Sequence, residues 1–338
     1  LPCESNKVGS LEIAPSAPGV NVPLVRTARL LALTASAAIA IVGALAGAVR
    51  LLPWLLEPQV PWRVAVPFAR GLAALALESA LAVGWPIGWA LACVRAVESG
   101  EARVLQTLGE PPAATIKRLG LQGAALGLAL ATVAVVCASD ANAPGRVVTE
   151  LVVRARAACA LARGPATYVV PFTGMTWLCA PDREPRLVGT LPGRKGAAVA
   201  TASGARISGD FRAIELDDAR VQLLGDPPIS VHAGTVAMHG MAPWAHASTL
   251  PPVQRAILVA LSAWSAASVA AWGILRRAVR GRGRAIVLGA AGPLAALGVL
   301  RSLERADAPP ALFFLAPLVA SGCAAALSWL LSRMKKAS

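Results

Sequence analysis

The sequence predicts an α-helical membrane protein with six transmembrane helices in a 3+3 arrangement and an inserted β-rich, jellyroll-like domain. Three observations predict it. Of 338 residues, 56% are hydrophobic and only 15% charged, with a mean hydropathy of +0.61, whereas a soluble domain carries about 25% charged residues. Six apolar runs approach or exceed the roughly 17 to 25 helical residues that a bilayer core requires. A polar segment of 115 residues, 140 to 254, divides the runs three and three.

Taken in order, residues 1–25 are rich in Pro, Ser and Gly and hold no long apolar run. They read as a flexible N-terminal segment, not as a signal peptide, whose apolar region spans about 7 to 15 residues. Residues 26–139 hold the first three spans: Leu30 to Val49 (20 residues), Gly71 to Val94 (24, interrupted only by Glu78) and Leu119 to Ser139 (21). Residues 253–338 hold the last three and a basic tail: Ala256 to Leu275 (20), Ala285 to Leu300 (16) and Ala311 to Ser332 (22). The fifth run is short, and Arg284 and Arg301 would snorkel to extend it.

An even number of spans places both termini on one side. "RRAVRGRGR" (276–284) carries five arginines and the tail "SRMKKAS" three basic residues, both on that side. Basic short loops mark the cytoplasmic face, so the polar domain, about 140–252, is extracytoplasmic. The net charge of +14 then belongs to topology signals and anionic head groups, and no nucleic-acid partner is expected.

Within the polar domain, 146–163 reads as a helical stalk. "TYVVPF" (167–172), "RISGDFRAIELDDARVQLLG" (206–225) and "ISVHAGTVAM" (229–238) place apolar residues near every second position, the period of a half-buried strand. Several such strands with close turns point to a sandwich or jelly roll. Cys159 and Cys179 lie in this segment; an extracytoplasmic location permits pairing, and their spacing leaves it open. Cys93, Cys137 and Cys323 fall in apolar runs and read as small packing residues.

The sequence holds little chemistry of its own. "GTLPGRKGA" (189–197) lacks the spacing of a phosphate-binding loop and the Ser or Thr after Lys, so it reads as a turn, and ATP use falls to a partner chain. His232, His239 and His246 stand seven apart without an acidic or cysteine cluster, so no metal site is expected. Neither a nucleophile elbow nor an H-E-x-x-H motif occurs. No catalytic residues and no cofactor are assigned. Glu78 is the one acid inside a predicted span. Such carboxylates face a protein interior or a cavity, unless the helix starts late and Glu78 lies near the head groups. Pro86 and Gly84 should kink the same span. Gly43 with Gly47, and Gly123 with Gly127, form small-residue faces for helix packing. Arg50, Arg63, Arg301 and Arg305 cluster at the outer mouth, with Trp54 and Trp62 as interfacial anchors. Arginine forks suit phosphate oxygens, and also ordinary head groups.

The polar island "SGEARVLQTLG" (99–109) separates spans two and three. Ser99 is a good N-cap, Glu101 sits where the helix dipole favours an anion, and Gly109 with Pro111 and Pro112 stops the helix. A helix of about nine residues, roughly 13 Å, with Val104, Leu105 and Leu108 as an apolar stripe, suits docking into a groove of a soluble partner. The other reading is a helix lying on lipid.

At this point the chain resembles the LptF/LptG permeases of lipopolysaccharide export. Those proteins have three spans, a periplasmic β-jellyroll and three spans. Their second loop carries an acid, a short helix and a Gly eight positions on, as Glu101, Leu105 and Gly109 do here. Pro86 in "VGWPIGWALA", the segment "RRAVRGRGRAIVLGAAGPLAALGVL" and "DAPPALFFLAPLV" resemble further family segments, so the resemblance covers about 25–335. It implies a multi-pass protein of a bacterial inner membrane, not itself an enzyme. Its partners would be a cytoplasmic ABC ATPase dimer, a second homologous six-span permease, a periplasmic bridge protein and lipopolysaccharide. Glu101, Arg103, Leu105, Leu108 and Gly109 would form the ATPase coupling helix. Arg50 and Arg63, with Arg301 and Arg305, would meet lipid A phosphates. The chain departs from the family in offering only Arg50 near the end of span one and in its small β-domain. The residues alone also admit a lipid-modifying membrane enzyme, or a membrane sensor or scaffold with a β-domain.

Overall fold

The computed structural model describes residues 22–55, 62–109, 111–137, 143–170, 175–181, 183–190, 198–208, 213–223, 229–239, 250–276, 279, 281–306 and 308–334. The N-terminal residues 1–21, most of the "GTLPGRKGA" turn and His246 lie outside them.

The chain is a multi-span membrane protein. Among the described residues six helices are long and apolar enough to cross a bilayer, three before and three after an antiparallel β half-barrel. They are α1 (Val22–Leu55), α2 (Trp62–Glu98), α4 (Pro112–Cys137), α6 (Pro252–Leu275), α7 (Arg282–Arg305) and α8 (Leu315–Met334), the last entered through a 3-10 turn at Pro310–Phe314. A short helix, α3 (Glu101–Thr107), joins α2 to α4, and α5 (Ala143–Ala160) leads into the β-domain. α1, α2, α6 and α7 reach or pass the limits of their apolar runs; α4 is helical to Cys137, and the first four residues of the sixth run fall in the 3-10 turn before α8. The 16-residue run of the fifth span sits inside the 24 residues of α7, about 36 Å at 1.5 Å per residue. α2 continues as helix through Pro67 and Pro86.

Small residues set the packing. A Cβ on Gly88 would lie 2.3 Å from the Ala32 backbone, and one on Gly84 2.5 Å from Ser36 Cα, so α1 rests directly on α2. Gly43 and Gly47 extend that contact to Ala76 and Leu72, while Gly123 and Gly127 face Trp264 and Ala260 of α6. Both small-residue faces are therefore occupied within this chain. Ala263, Ala266, Ala267, Ala270 and Ala271 bury the centre of α6. Gly289 of α7 meets Pro86 O and Ile87 of α2. Close backbone approach of this kind replaces the hydrophobic drive that lipid cannot supply. A polar bridge reinforces it: Trp89 Nε1 donates to Gln122 Oε1 at 3.0 Å, and Gln122 Nε2 donates to Val25 O at 3.2 Å. α2 is central, 72% of its spanning window being buried against 11% for α1 and 12% for α4.

Among the described residues seven strands follow α5: β1 (Ala166–Val170), β2 (Met175–Ala180), β3 (Arg183–Thr190), β4 (Ala198–Ala202), β5 (Gly204–Ile207), β6 (Ala213–Leu223) and β7 (Ile229–His239). They form one antiparallel sheet in the order β1-β2-β3-β4-β6-β5, with β7 paired along the other side of β6. Trp177, Leu187, Ile214 and Leu216 form its core with Val148 and Val152 of α5. Leu51 of α1 and Phe68 of α2 enter the same core, so the first helical hairpin is built into the β-domain. A Cys159–Cys179 disulfide ties the end of α5 to β2. The stretch 206–225 separates into the end of β5 and all of β6, and β2, β3 and β4 are additional to the strands legible in sequence.

Candidate functional site

Among the described residues, two constructions carry specific polar chemistry, one beyond the last turn of α2 and one near its middle. At the end opposite the β-domain, Ser99 closes α2: its N–H donates to Arg95 O at 2.8 Å and its hydroxyl to Ala96 O at 3.4 Å. The N-cap of α3 is therefore Gly100, in the left-handed region at φ 82°, and not Ser99. Glycine alone takes that conformation without strain, and it turns the chain sharply after α2. Gly109, also at φ 82°, stops the helix as its sequence position predicts. α3 is seven residues long.

The apolar stripe divides. Ala102 and Leu105, three apart, are buried against the bundle. Val104 and Leu108 are exposed at 56% and 66%, on the same outward face as Glu101, while Arg103 is also exposed. An exposed acid flanked by two aliphatic side chains is the pattern of a helix that docks into a groove. Beside it lies an open crevice of about 450 Å³ lined by Val94, Val97, Glu98, Arg103, Ile274 and Val279. Arg282 approaches Glu98 to 3.9 Å at its rim.

The second construction is a buried charge cluster. Arg255, in the first turn of α6, is 5% exposed. Its Nε and Nη2 donate to the two carboxylate oxygens of Glu78 on α2, at 3.1 and 3.0 Å. Its Nη1 donates to Glu304 in the last turn of α7. Glu78 and Glu304 are themselves 8% and 6% exposed. Glu78 thus lies level with the β-domain ends of α6 and α7, enclosed by protein. All three guanidinium nitrogens are used, which in a low-dielectric site gives a strong and directional contact. Sequence reasoning missed Arg255 and Glu304 because each falls just outside an apolar run. The signal was Glu78 itself, since a buried carboxylate demands a cation.

The remaining predicted residues are dispersed. Arg50 ends the span in α1 and Arg63 opens α2; the side chains of both, and of Arg305, lie outside the described residues. Arg301 is exposed one turn before Glu304. On the β-domain, His232 Nε2 sits 2.6 Å from Asp218 Oδ1, and Arg186 holds both the Asp218 carboxylate (2.6 Å) and its carbonyl (3.1 Å). These contacts fix Asp218 at φ 49°, an unusual value for a non-glycine residue, at an irregular point of β6. The side chain of His239 lies outside the described residues. No family model matches the chain, and no curated protein matches it.

Proposed function

We propose that this chain is a permease subunit of an ABC-type exporter in the manner of LptF/LptG. It extracts lipopolysaccharide from the inner membrane and passes it to a periplasmic bridge. The observation that carries this reading is α3. It presents Glu101, Val104 and Leu108 outward, yet is fastened to α2 through two residues and to the bundle through Ala102 and Leu105. A helix free to be gripped but not free to swing passes motion to its spans.

Other features support the reading. Arg276, Arg282 and Arg284 flank the loop between α6 and α7 on the α3 side, which supports a cytoplasmic assignment of that side. The Cys159–Cys179 bond suits an oxidising periplasm for the β-domain. Among the described strands β7 pairs with β6 alone, so its outer edge offers backbone groups to a strand of a bridge protein. ATP hydrolysis resides in a separate ATPase dimer, and a second six-span permease completes the path. Arg50, Arg63, Arg301 and Arg305 meet the lipid phosphates.

The test is isolation of the tagged full-length chain from its native membrane. The reading expects an ABC ATPase and a second six-span chain in the complex. It also expects Glu101→Ala to fold normally and to slow lipid release roughly tenfold, the equivalent of one charged hydrogen bond of about 1.5 kcal/mol. A chain isolated without an ATPase, or full transport by the variant, contradicts it.

A further inference from the structure

α2 runs unbroken for 37 residues, about 55 Å, and touches three parts of the molecule. Its first turns enter the β-domain core through Phe68. Its last turn carries α3. Between them, Glu78 is clasped by Arg255. The rest of its seam with the second half of the chain is apolar: Gly289 rides on Pro86 and Ile87, and Trp85 and Trp89 share a buried cluster with the alanines of α6. These are dispersion contacts without a preferred direction, whereas a forked ion pair is directional. The Arg282–Glu98 pair at the opposite end is 3.9 Å apart and exposed, so solvent weakens it. The Arg255 cluster is buried and forked.

We propose that Arg255 is a positioning residue: by holding Glu78 of α2 and Glu304 of α7 in one grip, it fixes the point about which α2 turns, so that α2 is a lever between α3 and the β-domain. From Glu78 to Glu98 is twenty residues, about 30 Å, and from Glu78 to Phe68 ten residues, about 15 Å. A sideways displacement of α3 therefore reaches the base of the β-domain halved and reversed. Glu304 makes the grip two-sided, tying the end of α7 to the same point, so α7 keeps its place while α2 tilts. The drive applied at α3 rests on the exporter reading above; the pin does not.

The pin is tested on the full-length chain in lipid nanodiscs by double electron–electron resonance. Spin labels are placed through Gln222→Cys on β6 and Ala306→Cys after α7, both exposed positions, with Cys3, Cys93, Cys137 and Cys323 replaced by Ala. The proposal expects one narrow distance distribution with Arg255 intact. It expects the width to grow roughly twofold in Arg255→Lys, which keeps the charge but loses the fork, and in Glu304→Gln, which loosens only one arm. Unchanged widths in both variants overturn the pin. In the complex with its ATPase, trapping with ADP and vanadate should shift the distance in the parent chain and not in Arg255→Lys, with the ATPase retained by both; equal shifts overturn the lever. Absence of any ATPase overturns the exporter reading, and the label widths still decide the pin.

Discussion

The guanidinium of Arg255 meets the carboxylate of Glu78 side-on across 177 positions of sequence, with both contacts near 3.0 Å and both groups buried. Removing Arg255 takes a buried cation from two carboxylates in low dielectric. Arg255→Ala should therefore destabilise the chain by about 3–5 kcal/mol, whereas the apolar triple replacement Glu78→Leu, Arg255→Met, Glu304→Leu should be neutral or stabilising. Thermal unfolding in detergent checks both. A triple variant as unstable as the single one would show that the cluster's stability does not reside in charge pairing.

Helix α1 lies on α2 at the limit of backbone contact. The Cβ added by Gly88→Ala would fall 2.3 Å from the backbone of Ala32, and backbone atoms cannot rotate away. The expected cost is about 1–3 kcal/mol. Gly120, in α4, has nothing within 4 Å of an added Cβ, so Gly120→Ala should be neutral or stabilise by up to about 1 kcal/mol. Paired melting curves test the contrast, and equal effects at the two sites would refute the close approach.

The six spans were legible because runs of sixteen or more uncharged apolar residues have few other physical outcomes. The limits of α7 were not: Arg282 and Arg305 are charged, and helix continuity at a membrane surface leaves no apolar trace. Strands β1, β6 and β7 alternate visibly, but β3 reads "REPRLVGT", where a proline and two arginines mask the period. In the candidate site, Glu101 and Gly109 were visible from spacing. The cap of α3 is masked in sequence because Ser99, a good capping residue, stands next to Gly100, whose left-handed backbone decides the turn. Glu78 declared itself by its charge, while Arg255 and Glu304 were hidden at helix ends, where charged residues are ordinary.

Reduction of the Cys159–Cys179 bond, whose partners are 20 residues apart, should cost the β-domain about 3 kcal/mol. Melting with and without reductant measures this. Because Cys159 and Cys179 are buried, topology is read at the exposed Gln222→Cys on β6 with Cys3, Cys93, Cys137 and Cys323 replaced: on the exporter reading a membrane-impermeant maleimide labels it from the periplasmic side alone, and labelling from the cytoplasmic side would reverse the topology.

Asp218 gives the β-domain an acid-sensitive contact. The hydrogen bond from His232, and then the Arg186 guanidinium, hold its carboxyl below its ordinary value of 3.8. A folded value below the unfolded one means that the stabilisation is complete above the unfolded value and is lost as pH falls through the folded one. Asp218 should therefore contribute no pH dependence from about pH 5 upward and a loss below about pH 4. Asp218→Asn should flatten that part of the acid profile of the melting temperature. An unchanged acid profile would contradict the assignment.

The central claim is that a cytoplasmic ATPase grips the outward face of α3. Photo-crosslinking in cells tests it most directly, with a photoreactive amino acid in place of Val104 or Leu108 and, as a lipid-facing control, Leu121, which is 82% exposed on α4. The account predicts an adduct with a nucleotide-hydrolysing subunit from Val104 and Leu108 and none from Leu121. The absence of any protein adduct at both α3 positions, in cells where the chain is assembled, would contradict it.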